Sequence, residues 1–249
     1  MKKTVGTPCW VDLMTPDPEV ARNFYTKVLG WTYQIQPEEY GGYAMCHIEA
    51  GTVAGIGKPP AGNEMPSVWT VYLATEDIAK TVADWTAKGG QVLTAPFEVP
   101  SQGHMAVVSD PTGAVVGLWQ PLAHRGFDSV GPPGAPCWFE VNTPKSETVR
   151  DFFVDVFGLT AQRLEGMHYY TLHDDSPRYG VLQMTEAWEG IPPHWMTYFS
   201  VEDVPASAEV VKANGGKVHH GPFDTAQGPI AVCSDPTGAM FTIIKPQTA

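Results

Sequence analysis

Two short stretches set an indole and a carboxylate two residues apart: Trp10-Val11-Asp12 and Trp138-Phe139-Glu140. Residues i and i+2 of a β-strand share a face, so each acid would stand beside a tryptophan. Two further stretches, residues 68–78 and 194–204, put Tyr72 and Tyr198 at matching places, with His194 on the same face as Tyr198. A carboxylate walled by apolar rings is disfavoured in its charged form, which suits a general acid or base, and a phenol can polarise a carbonyl. Asp12, Glu140, Tyr72, Tyr198 and His194 are therefore the candidates for acid–base work on a carbonyl or hydroxylated substrate. The alternative is structural. Buried acids and phenols must find hydrogen-bond partners in any fold, and these could satisfy one another.

The rest of this face is aromatic or neutral. Alternation places Trp10, Asp12 and Met14 together, then Thr70, Tyr72 and Ala74, then Val115, Gly117 and Trp119. The second set is Trp138, Glu140 and Asn142, then His194, Met196, Tyr198 and Ser200, then Met240, Thr242 and Ile244. Rings as walls with a few polar groups suit a pocket for a small organic molecule. Trp10, Trp138, Thr70, Met196, Trp119 and Thr242 are the expected ligand-contacting residues. The opposite face (Val11, Leu13, Val71, Leu73, Phe139, Val141, Thr197, Phe199) is mostly apolar and should pack beneath helices.

The elements that carry these strands are written twice. Residues 7–31 match residues 135–159, 68–78 match 194–204, and Ser109-Asp110-Pro111-Thr112-Gly113 returns as Ser234-Asp235-Pro236-Thr237-Gly238. The copies are offset by about 125–128 residues, a drift expected when insertions fall only in loops. The expected organisation is a first half over residues 1–121, a Gly/Pro-rich linker over 122–134 and a second half over 135–249. Within each half the order strand–helix–several strands occurs twice. Thr15-Pro16 and Thr143-Pro144 read as helix starts, and Gly30, Gly158 and Gly89-Gly90 as helix ends. Asp-Pro-Thr-Gly is the sequence of a type I turn.

Composition narrows the function classes. A net charge of −12 with no Lys/Arg run argues against a nucleic-acid partner. No run of about 18 apolar residues is present, so no membrane helix is expected, and the N-terminal stretch does not read as a signal peptide. The four cysteines form no C-x-x-C pair, which suits reduced thiols in the cytoplasm.

Three motifs, each present in both halves, carry a family resemblance. Ala21–Trp31 resembles a helix ending F-Y-x-x-x-L-G, Tyr72–Val92 resembles the second strand–helix with its closing Gly-Gly, and Ser109–Pro121 resembles the last hairpin. Together they resemble the vicinal oxygen chelate superfamily, which contains glyoxalases, bleomycin-resistance proteins and extradiol dioxygenases. The resemblance implies an α+β fold: four βαβββ modules forming two glyoxalase/bleomycin-resistance-type half-barrel domains.

In metal-dependent members the resemblance implies ligands early in the first strand, early in the fifth and, as glutamate, in the eighth. Here those places hold Trp10, Thr70 and Gly117, and in the second half Trp138, Met196 and Thr242. None is a usual ligand for a catalytic divalent ion, so no cofactor is expected. Three readings follow: a metal-free binding protein for a small molecule, a metal-free acid–base enzyme, or a metal-dependent (Zn, Ni, Mn or Fe) lyase or dioxygenase that uses Asp12, Glu140 or His194 instead. A homodimer is compatible with each. Val68 stands opposite His194 in the repeat and Gly117 opposite Thr242, so the two halves are expected to hold unequal sites.

Overall fold

The computed structural model describes residues 5–38, 41–60, 62 and 65–247. In chain order the first half contains β1 (Pro8–Met14), α1 (Pro18–Leu29), β2 (Thr32–Ile35), β3 (Ala44–Ile48), β4 (Gly51–Gly57), β5 (Val68–Ala74), α2 (Ile78–Ala87), β6 (Gln91–Val99), β7 (Gly103–Ser109) and β8 (Val115–Pro121). The second half contains β9 (Pro136–Thr143), α3 (Ser146–Phe157), β10 (Thr160–Arg163), β11 (Tyr169–His173), β12 (Pro177–Gln183), β13 (His194–Ser200), α4 (Val204–Ala213), β14 (Lys217–Thr225), β15 (Gly228–Ser234) and β16 (Met240–Ile244). The strand–helix–three-strand unit therefore occurs four times, as the repeat predicts.

The strands form two eight-stranded mixed sheets, ordered β2-β3-β4-β1-β5-β8-β7-β6 and β10-β11-β12-β9-β13-β16-β15-β14. In every module the first strand pairs in parallel with the last: β1 with β4, β5 with β8, β9 with β12 and β13 with β16. The other pairings within a module are antiparallel. In each half the start of the first strand hydrogen-bonds the end of the fifth. Ala74 N donates to Thr7 O at 2.9 Å, and Ser200 N to Ala135 O at 2.9 Å. The thiol two positions on repeats the link: Cys9 Sγ donates to Tyr72 O and Cys137 Sγ to Tyr198 O, both at 3.4 Å.

By internal packing the chain divides into two compact units. One comprises residues 1–10, 70–126 and 139–196, the other residues 11–69, 127–138 and 197–249. The first unit packs α2 against α3 around Trp85, Phe152 and Phe153, with Trp85 edge-on to Phe152 at 4.7 Å. The second packs α1 against α4 around Phe24, Tyr25, Trp31, Trp69, Phe199 and Phe241. The strand face expected beneath the helices is buried throughout: Val11, Leu13, Val71, Leu73, Val141 and Phe199 have no exposed surface.

The helix starts differ in detail from the sequence expectation. α1 is capped by Asp17, whose Oδ1 accepts from Val20 N, and Pro18 rather than Pro16 enters the first turn. Thr15 instead accepts from Asp17 N at 3.2 Å and closes the turn before the helix. A threonine two residues upstream of a better-placed aspartate loses the competition for the N2 and N3 amides. The matching start of α3 falls on Lys145, which offers no side-chain cap. Gly30 and Gly158 do end their helices in the left-handed conformation, at φ 72° and 70°. The linker is anchored as well: Phe127 is buried, Thr52 N donates to Asp128 Oδ2 and Trp31 Nε1 donates to Gly134 O.

Candidate functional site

The candidate residues fall into four groups, one for each module's sheet face. In the first unit β5 and β8 run in parallel with Tyr72 in register with Gly117. The Tyr72 ring covers Gly117 so closely that a Cβ there would lie 2.2 Å from Tyr72 Cδ1. Beside it an aromatic cluster forms. His124, from the linker, packs edge-on against Trp10 at 4.4 Å and Trp119 at 5.5 Å, and its carbonyl accepts from Trp119 Nε1. Thr70 is half-buried on the same strand as Tyr72.

Also in the first unit, the third module and the start of β13 gather more polar groups. Glu140 is in register with Gly180, and the Tyr169 hydroxyl would sit 1.9 Å from a Cβ placed on that glycine. Two residues along β9, Asn142 Nδ2 lies 3.3 Å from His194 Nε2. His194 Nδ1 lies 2.9 Å from Pro192 O, and the Trp188 ring stacks on the imidazole at 6.1 Å and 27°. Met196 follows on β13 and is buried.

In the second unit the same device appears in the first module. Asp12 is in register with Gly55, and Tyr43 lies over that glycine, its hydroxyl 1.8 Å from where a Cβ would be. Tyr43 Oη donates to Asp12 Oδ2 at 3.3 Å. In the fourth module Tyr198 is in register with Thr242. Thr242 has no exposed surface, and its hydroxyl finds no hydrogen-bond partner among the described residues. Trp138 and Tyr198 are half-buried.

Both acids are buried, Asp12 and Glu140 at 5% exposure each. Alternation along the central strands does not by itself bring in two of the tyrosines that cover glycines. Tyr43 and Tyr169 come from the neighbouring hairpins, and the available signal was a glycine inside a strand, which marks close approach of another group. Burial pushes the Cys46 thiol well above its ordinary range, and His47 Nδ1 sits 3.2 Å from Thr52 Oγ1. Cys137 is pushed up to about 12 by burial. His219 and His220 part company: His219 Nε2 meets Ser234 Oγ at 2.8 Å, and His220 lies against Phe223. In the first unit a surface cleft beside α3 holds Arg150 and Tyr170, but its charges are self-paired, Arg150 with Asp151 and Tyr170 with Glu147.

The residues at the metal positions implied by the resemblance do not fit a divalent ion. Trp10 and Trp138 lack donors for it, and Thr242 offers a buried neutral hydroxyl. At Gly117 the Tyr72 ring occupies the volume that a glutamate's Cβ would need. No group of three or more His, Cys, Asp or Glu suited to a metal forms among the described residues.

The duplicated βαβββ module and its mixed sheet face define the class. The family model of the Glyoxalase/Bleomycin resistance protein/Dioxygenase superfamily matches residues 8–118 and 137–243, and the chain belongs to that superfamily. Among curated relatives it is 39% identical to CFP32 of Mycobacterium tuberculosis (strain CDC 1551 / Oshkosh), which bears a provisional glyoxylase name, over 97% of this chain and 95% of the relative. It is 32% identical to the anthracycline biosynthesis protein DnrV of Streptomyces peucetius, over 96% and 93%. Among solved structures, the 2,3-dioxygenase LapB from Pseudomonas sp. KL28 superposes with a TM-score of 0.69 at 15% identity, covering 100% of this chain and 94% of LapB. The Mn(II)-bound glyoxalase from Novosphingobium aromaticivorans gives 0.67 at 17%, covering 98% and 85%. At such identity these structures speak for the fold alone.

Proposed function

We propose that this chain binds a small organic molecule on its aromatic sheet faces and holds no catalytic metal at the superfamily's usual positions. The observation that carries the reading is the Tyr72 ring seated on Gly117, where a metal-dependent relative would carry its glutamate. Rings at Trp10, Trp119 and Trp138 supply apolar walls, and the buried acids and phenols supply orientation. The name of the anthracycline biosynthesis relative supports an aromatic ligand class. The four cysteines form no disulfide with one another, which supports a reducing compartment such as the cytoplasm. Elemental analysis of protein purified without chelator tests the metal-free reading: Zn, Ni, Mn and Fe should each be far below one equivalent. Near-stoichiometric metal, lost together with ligand binding on chelation, would overturn it.

A second reading has its own observation. The Tyr43–Asp12 hydrogen bond, repeated in outline by Tyr169 and Glu140 over Gly180, is an acid–phenol pair of the kind general acid–base catalysis uses. The acid would hold or release a proton while the phenol polarises a carbonyl. Under this reading Asp12→Asn combined with Glu140→Gln abolishes turnover of any carbonyl substrate while the ligand still binds. Unchanged turnover in the double variant would exclude it.

A further inference from the structure

The first unit contains a polar pair, Asn142 on β9 and His194 on β13, that its counterpart in the repeat does without. His194 Nδ1 faces the carbonyl oxygen of Pro192 at 2.9 Å. A carbonyl can only accept, so Nδ1 carries the proton and Nε2 of the neutral ring presents its lone pair. The Asn142 amide meets that lone pair at 3.3 Å, and it must therefore offer its Nδ2–H. This fixes the amide's orientation and leaves Asn142 Oδ1 as an acceptor. That oxygen is buried and has no hydrogen-bond partner among the described residues, and Asn142 as a whole is 1% exposed. A buried acceptor left unmet costs about 1–3 kcal/mol.

The repeat shows that the fold does not require this arrangement. The residue equivalent to Asn142 is Met14 and that equivalent to His194 is Val68. Two apolar residues build the same strand positions in the first half, so the polar pair in the second half calls for another explanation. Its surroundings are suited to an aromatic ligand. Trp188 stacks on the imidazole, Met196 follows on the same strand face, and Glu140 precedes Asn142 on β9.

We propose that the Asn142–His194 pair is a recognition element for a hydroxylated aromatic compound, whose O–H donates to Asn142 Oδ1. His194 acts as a positioning residue: held by Pro192, it keeps the amide oxygen turned toward the ligand. The inference rests on the reading of the chain as a binder of small organic molecules, and it narrows that ligand to one carrying a hydrogen-bond donor. An acceptor shielded from bulk water discriminates strongly, because a ligand without the donor leaves it unpaired.

The test uses the full chain and two matched probes, 1-naphthol and 1-methoxynaphthalene, titrated by calorimetry and tryptophan fluorescence. The expected result is binding of 1-naphthol roughly tenfold or more tighter than its methyl ether, the discrimination a single buried hydrogen bond provides. Asn142→Met and His194→Val each install the residue the first half already tolerates, so both variants should fold. Asn142→Met should bring the affinity ratio to about one, and His194→Val should reduce it. Equal affinities in the parent, or a ratio that survives Asn142→Met, would overturn the recognition element and leave the broader binding reading standing. Binding of neither probe would overturn both for aromatic ligands.

Discussion

At the scale of single residues, the glycines explain the site better than the acids do. Gly55, Gly117 and Gly180 each lie beneath a tyrosine ring or hydroxyl at a separation no Cβ could share. Each lets a neighbouring phenol drop onto the strand beside Asp12, Tyr72's own strand or Glu140. Gly117→Ala should therefore displace the Tyr72 ring and lower stability by about 1–3 kcal/mol, the usual cost of overpacking a filled site. Thermal or urea unfolding measures it. Removing the ring as well, in Tyr72→Ala with Gly117→Ala, should cost less than the sum of the two single changes, since the clash disappears with its partner. Additive costs would show that the ring and the glycine do not interact. These glycines stand in the sequence as ordinary strand residues. A strand glycine signals close approach, but not which side chain approaches, and Tyr43 lies 12 residues from Gly55 across a hairpin.

At the scale of elements, the four helices start from repeated sequence but are not capped alike. Asp17, Asp77 and Asp203 accept from the amides of Val20, Lys80 and Ala206, at 3.2, 2.9 and 2.8 Å. Lys145 at the start of α3 makes no such bond and places a cation at the positive end of the helix dipole. Lys145→Asp should stabilise the protein by about 0.5–2 kcal/mol, read as a rise in the unfolding midpoint. Asp17→Ala should lower it by a similar amount. No change for Lys145→Asp would mean that the amides of α3 are already satisfied, and Ser146 N does donate to Gln183 Oε1 at 3.0 Å. The helices themselves, their glycine stops and the strand alternation were legible in the sequence because each depends on neighbours within a few residues. The choice of Asp17 over Thr15 as cap was not, because both are competent caps and only the strand's exit geometry selects between them.

At the scale of the whole molecule, duplication has left two cores that solve one problem differently. In the second unit Trp69 Nε1 donates to Tyr25 Oη, which donates to Asp235 Oδ2. The equivalent residues in the first unit are Trp195, Phe153 and Asp110. With phenylalanine in the middle, Trp195 Nε1 and Asp110 Oδ2 are both buried without a hydrogen-bond partner among the described residues. Burial raises the Asp110 carboxyl above its ordinary range, against the hydrogen bonds from Thr112, Ala114 and Gly113 that pull it down. A carboxyl whose folded pKa is raised binds more protons folded than unfolded. Its contribution to stability is therefore present at acid pH and lost as pH rises through the raised value. Phe153→Tyr should restore the missing link and raise stability by about 1 kcal/mol. The gain should be larger above the raised Asp110 pKa, where the carboxylate is charged, than below it. Tyr25→Phe should cost a comparable amount in the other unit. A Phe153→Tyr gain that does not depend on pH would show that the new hydroxyl does not meet Asp110.

The repeat, the order of elements and the two faces of each central strand follow from sequence alone. Repetition and alternation are properties of the chain read in order. Only the tertiary structure decided that the Tyr72 ring lies over Gly117, that His124 folds back from the linker onto Trp10, and that Asn142 meets His194. Those contacts join residues tens of positions apart. They depend on register and ring packing, which one residue's slip along a strand would undo.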